Sequence, residues 1–153
     1  MSAMFHDLGL TQHYRIDHQR FEIDGADEAR RFLRAHGIAD SLAELAWTGI
    51  ALHTTPQIPL RMAPEIALVT RGVELDVLGI GYDAITADQR AAVLAEHPRP
   101  DFKRQILAAF TDGLPDRPDT TFGNVKADVL THFVPGFRRG DFVEVIQNSP
   151  WSE

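Results

Sequence analysis

Apolar residues recur every three or four positions along several successive segments, and between those segments stand proline, glycine and capping residues. This period most constrains the fold. It is the repeat of an α-helix with one buried face, and alternating strand patterns are scarce. Ala29, Phe32, Leu33 and His36 share one face, Leu42, Leu45, Ala46, Gly49 and Ile50 a second, and Ile66, Val69, Val73 and Val77 a third. Punctuation agrees. Asp24 can cap a helix through DGADEARRFLRAHG, with Gly37 as its stop. Ser41 and Glu44 form a capping box that opens a helix to about Thr54, and Pro56 and Pro59 break it. Pro64 at a first helical position starts the next helix, which Gly79 ends. Thr86 and Gln89 make a second capping box, and Asp101 opens a further helix. Two shorter helices are expected near 123–133 and 141–148. The expectation is an all-α domain of about six or seven helices spanning residues 1–153.

A chain of 153 residues can bury a real core. Its 15 basic and 22 acidic residues give a formal net charge of -7, which leaves no broad basic surface to track a phosphate backbone, so no nucleic-acid partner is expected. No apolar run reaches the ~20 residues of a membrane span, and no secretory signal opens the chain. Neither a membrane partner nor export is expected. There is no cysteine, which removes disulfides, thiolate nucleophiles and Cys-ligated zinc and fits a cytoplasmic protein. Any metal must be held by His, Asp and Glu.

Against that background, four polar residues stand out at the end of an apolar run or on an apolar stripe. His6 and Asp7 end the apolar run AMF. His53 follows Gly49 and Ile50 along the buried stripe of its helix, and Asp76 lies three beyond Val73 on the next. A carboxylate on an apolar face is costly unless something pairs with it. Glu22 and Asp24, in RFEID, read more simply as a loop ion pair and a helix cap than as carboxylates supporting a metal ligand. His13 and His18 read as solvated loop residues.

The ordered segments FHDLGLT, RFEIDGADEARRFL, ALHTTPQIP and APEIALVTRGVELDVLG resemble the HD-domain superfamily of metal-dependent hydrolases, closest to its cyanamide hydratase-like branch. The similarity runs nearly to the closing SPW. The resemblance implies an all-helical domain with one divalent metal, zinc first, with iron, manganese or magnesium as alternatives. His6 and Asp7 match the family's pair and Asp76 its later Asp, which makes these three the expected metal ligands. His53 matches a position that lines the active site or joins the metal shell. Asp7 and His53 are then the expected catalytic residues, with Thr54 and Thr55 donating hydrogen bonds to a small-molecule substrate.

The family's first ligand, a His upstream of the pair, has no match among the five residues before His6, and the apolar phase is already running at Ala3. The chain is therefore expected to be an N-terminally incomplete domain. It should hold its metal weakly and form homo-oligomers through an apolar face near residues 1–10. Three activities follow as expectations: hydration or hydrolysis of a small cyanamide-like or nitrile-like molecule; hydrolysis of a nucleotide or other phosphate ester; or no catalysis, the chain serving as a helical binding or assembly module. The scarcity of bases in the segments around the pair favours the first over the second.

Overall fold

A computed structural model describes residues 1–148. SPW, at 149–151, lies outside the described residues. Eight α-helices follow in chain order, with no strand among the described residues: α1 Ser2–Phe5, α2 Phe21–Ala35, α3 Asp40–Leu52, α4 Pro64–Val73, α5 Ala87–Glu96, α6 Phe102–Gly113, α7 Lys126–Phe133 and α8 Phe142–Gln147. The all-α expectation is met.

α2 is the central element because its two ends serve two cores. Phe21, fully buried, packs with Leu10, Leu114 and Leu130, beneath α6 and α7. Ala26 and Ala29 pack with Ile50 and Ala51 of α3, against the partly buried Phe5 and Trp47. Burying one such large side chain stabilises by roughly 1.5–3 kcal/mol. Polar contacts align the α2–α3 pair: the Trp47 indole N–H and Arg30 both donate to Asp27, each at 2.7 Å.

Glycine sets the closest approaches. A Cβ at Gly25 would run into the carbonyl oxygen of Phe5, and one at Gly9 into that of Phe21. The N-terminal segment therefore lies directly on α2 where one of the two carries no side chain, α2 at Gly25 and the segment itself at Gly9. Gly37 ends α2 as expected. It takes φ +73°, its N–H bonds to the Arg34 carbonyl and that of Ile38 to the Leu33 carbonyl, the double closure of a Schellman motif.

Several local expectations are corrected. α2 begins at Phe21, ahead of Asp24, so Asp24 is not its cap; the carboxylate turns inward instead. α3 begins at Asp40, and Ser41 makes no capping bond. Glu44 faces Arg34 at 3.1 Å rather than reaching back to close a box. Leu42 is exposed, because the buried stripe of α3 runs through Ala43, Gly49 and Ile50. The Thr86–Gln89 box does form, with both reciprocal bonds. Pro64 starts α4 as expected, and Gly79 closes the segment in the left-handed region.

Between them, residues Glu74–Leu78 form a π turn. This wider turn shifts the phase of the helix face. Asp76, expected on the buried stripe, is consequently on the outside. Its side chain is 55% exposed and is paired with Arg99.

Candidate functional site

Two helix ends and the start of a third meet at one place. His6 closes α1 and Asp7 follows it; His53 closes α3; Phe21 opens α2. The glycine contact at Gly25 seats the His6–Asp7 segment on α2. The His53 ring packs edge-on against Phe21, with centroids 5.6 Å apart, and nearly perpendicular to His6 at 5.1 Å. Asp7 lies between the two imidazoles. Its Oδ2 is 3.3 Å from His6 Nε2 and its Oδ1 is 3.5 Å from His53 Nε2. His53 is almost wholly enclosed, while the Asp7 side chain keeps 30% exposure and His6 23%. The site therefore opens to solvent on the His6–Asp7 side.

The hydrogen bonds fix what faces the carboxylate. His53 Nδ1 lies 2.6 Å from the Ile50 carbonyl, and His6 Nδ1 lies 3.1 Å from the Ala3 carbonyl. A carbonyl only accepts, so each Nδ1 carries the proton. In the neutral imidazole each Nε2 then presents a lone pair, and both lone pairs turn toward a carboxylate that is itself an acceptor. Three acceptors facing one another need positive charge between them, either protons on the rings or a bound cation. Anchoring one ring nitrogen on a backbone carbonyl while the other faces a carboxylate-lined gap is the arrangement that orients metal-ligating histidines. The donor set of two imidazoles and one carboxylate suits zinc, and also iron or manganese; magnesium prefers oxygen ligands.

Asp76 is not brought to this cluster; its carboxylate is held by Arg99, which also bonds the Asp76 carbonyl at 2.7 Å. Among the described residues, no group of three or more His, Cys, Asp or Glu is drawn into one coordination shell. His6, Asp7 and His53 meet pairwise, with Asp7 as the shared partner. His18 is exposed and pairs with Asp119, and the His13 ring packs edge-on against Tyr14, so neither joins the cluster.

The pair in RFEID has a different role from the one the sequence suggested. Both carboxylates are helical and buried, next to the site. Glu22 accepts from Arg20 at 2.8 Å, from the Thr54 hydroxyl and from Lys126. Burial raises its carboxyl, but the Arg20 hydrogen bond and the charges of Lys126 and Arg20 outweigh that, and the pKa falls from 4.5 to about 2. Burial pushes Lys126 down from 10.5, partly offset by Glu22. Asp24 is held by Arg117 and by Gln19 at 2.8 Å. Arg117 also donates to the carbonyls of Gly9, Ile16, Gln19 and Gly113. These residues tie the N-terminal loop, α2 and the chain after α6 into one network. Thr54, expected to serve substrate, gives its hydroxyl to Glu22; Thr55 is partly buried in the turn after α3 and bonds through its N–H to the Leu52 carbonyl.

Comparison with protein-family models, with curated proteins and with solved structures gives no match to this chain. No helix among the described residues is long and apolar enough to cross a membrane.

Proposed function

We propose that this chain is a metal-dependent hydratase or hydrolase of the HD type, acting on a small, uncharged, nitrile-like or cyanamide-like molecule at His6, Asp7 and His53. One observation carries the reading. Both imidazoles give their Nδ1–H to backbone carbonyls and turn their Nε2 atoms toward the Asp7 carboxylate. His6, Asp7 and His53 would hold a divalent cation, zinc first, without Asp76. Such a cation supplies Lewis acidity, lowering the pKa of water and polarising the bond under attack.

The chain's own groups do the rest. Asp7 accepts a proton from the attacking water through one carboxylate oxygen. His53, fixed by Ile50 and walled by Phe21, closes the buried side of the site and excludes water there. His6 borders the open side, where a small substrate enters. Engagement of the adjacent cations favours an uncharged substrate over a phosphate ester. Arg20 and Lys126 are both engaged by Glu22, so a phosphate near Thr54 would have to compete with a buried carboxylate for them.

A second reading, a non-catalytic binding module, draws on one observation: a groove of about 830 Å³, lined by Leu75, Tyr82, Val93, Leu94 and Phe102 among others, is bordered by none of the three site residues. Metal analysis of protein incubated with zinc and then desalted separates the two. Stoichiometric zinc, lost in Asp7→Asn and His53→Ala, together with zinc-dependent hydration of cyanamide, supports the enzyme. Turnover of phosphate esters instead would move the substrate class. Neither zinc nor turnover leaves the module.

A further inference from the structure

We propose that the groove between the π turn, α5 and α6 is a binding site for an apolar monocarboxylate, a small acid with one carboxylate head and an aliphatic or aromatic tail. The groove has a volume of about 830 Å³. Small-molecule sites span roughly 300–1,000 Å³ and are mostly apolar with a few polar groups that fix orientation. Leu75, Leu78, Tyr82, Val93, Leu94 and Phe102 supply the apolar lining. Leu78, Tyr82, Val93 and Leu94 are all exposed, although they share one concavity. A tail lying along them would take that surface out of water.

Charge gathers at one end and sets the class of head group. A smaller hollow of about 340 Å³, lined by Arg99, Asp101, Phe102 and Lys103, shares Arg99, Phe102 and Lys103 with the groove. The Arg99 guanidinium lies over the Phe102 ring, 4.0 Å from its centroid, and already carries one carboxylate, that of Asp76. Asp101 is taken up by Arg104, and Lys103 makes no ion pair among the described residues. Two cations therefore stand here against Asp76, an excess of one positive charge in a chain whose net charge is -7. One excess charge matches a monoanion and leaves a phosphate dianion uncompensated. Arg90, the remaining cation of the lining, is committed to the Tyr82 and Ile85 carbonyls. The carboxylate head thus meets Lys103 and Arg99, and the tail runs over Leu75, Val93 and Leu94. None of His6, Asp7 and His53 lines the groove, so this site stands whether or not those residues hold zinc.

Isothermal titration calorimetry of the metal-free full chain with octanoate, octanol and octyl phosphate, each below its aggregation concentration, tests this. One octanoate is expected to bind per chain, with octanol about tenfold weaker because it lacks the charge. Lys103→Gln should weaken octanoate about fivefold and leave octanol unchanged. Leu94→Asp should weaken both. Asp76→Asn should tighten octanoate, since it frees Arg99 for the head group, and Asp7→Asn should change nothing. Far-UV circular dichroism checks the fold of each variant, and Val93→Asp replaces Leu94→Asp if that variant loses helicity. Absence of saturable octanoate binding overturns the proposal. So does octanol binding as tightly as octanoate, or octanoate binding indifferent to Lys103→Gln. Tighter binding of octyl phosphate would overturn the monocarboxylate class, and loss of octanoate binding in Asp7→Asn would move the ligand out of the groove to the His6–Asp7 cluster.

Discussion

Two carboxylate clusters lie side by side at the start of α2, and they are built on opposite principles. Glu22 and Asp24 are buried and answered by cations and hydroxyls: Lys126, Arg20 and Thr54 for one, Arg117 and Gln19 for the other. Asp7 is partly open and faces two imidazoles whose protons are committed elsewhere. A satisfied buried charge holds a fold together. An unsatisfied, solvent-reachable one is a place for a ligand or a proton. Adjacency to the first cluster keeps the second rigid, since Thr54 joins Glu22 to the residue next to His53.

The largest expected effect is on the closed cluster. Arg117→Ala leaves Asp24 buried without its cation and removes the donor to the carbonyls of Gly9, Gln19 and Gly113, while the Ile16 carbonyl keeps the Gln19 N–H, so a loss of about 3–5 kcal/mol is expected in urea unfolding. Replacing both members of the pair with apolar residues should cost less than the single change; an equal or greater loss would show that the backbone carbonyls, not Asp24, need Arg117 most.

Acid should act next. Glu22 is depressed to about 2 when folded, against 4.5 for the free group. Its contribution is therefore present above about pH 4.5 and lost as pH falls toward 2, because the unfolded chain then binds the proton first. The shift corresponds to about 3 kcal/mol. Glu22→Gln should flatten stability against pH across that window. Lys126 has the same sense in a higher window: its pKa too is lowered in the folded chain, so stability rises with pH between its folded value and 10.5.

These two clusters also mark what the sequence could and could not reveal. Helix ends at Gly37 and Gly79, and starts at Pro64 and Thr86, were legible because their causes are local. His6, Asp7 and His53 were legible for a similar reason: a dipeptide ends an apolar run, and a histidine continues an apolar stripe. The first turn of α2 was not. Glu22 and Asp24 look like surface residues until Lys126 and Arg117, 104 and 93 positions away, arrive to neutralise them. Asp76 was misplaced for another reason. The stripe was projected at the α-helical period through a segment that is a π turn, and the wider turn carried the carboxylate outward to Arg99.

The open cluster should answer to a cation where the closed one does not. Zinc at about a hundred times its Kd is expected to stabilise the wild type by about 2.7 kcal/mol through mass action. Asp7→Asn should lose that response while the metal-free protein stays within about 0.5 kcal/mol of wild type, because Asp7 is partly exposed and has no Arg or Lys partner to forfeit. A large loss of metal-free stability would make Asp7 a structural member of the fold, like Asp24. Gly25→Ala, one step removed, should cost about 1–3 kcal/mol and also weaken the zinc response, since a methyl group there pushes the Phe5 carbonyl, and His6 with it, off α2.

The smallest effect is expected at Asp76, and it sharpens the comparison most. Asp76 and Arg99 form an exposed pair, and exposed pairs contribute about 0–1 kcal/mol. Asp76→Asn should therefore barely move the urea midpoint. If three residues make the site, it should also leave the zinc-induced rise untouched, while His53→Ala removes it. A zinc response that vanishes in Asp76→Asn, with the metal-free midpoint unchanged, would mean that the π turn re-forms when metal binds and delivers this carboxylate to His6 and Asp7. The Arg99 contact would then be the resting partner that the metal displaces, and Arg99→Ala should strengthen zinc binding rather than weaken it.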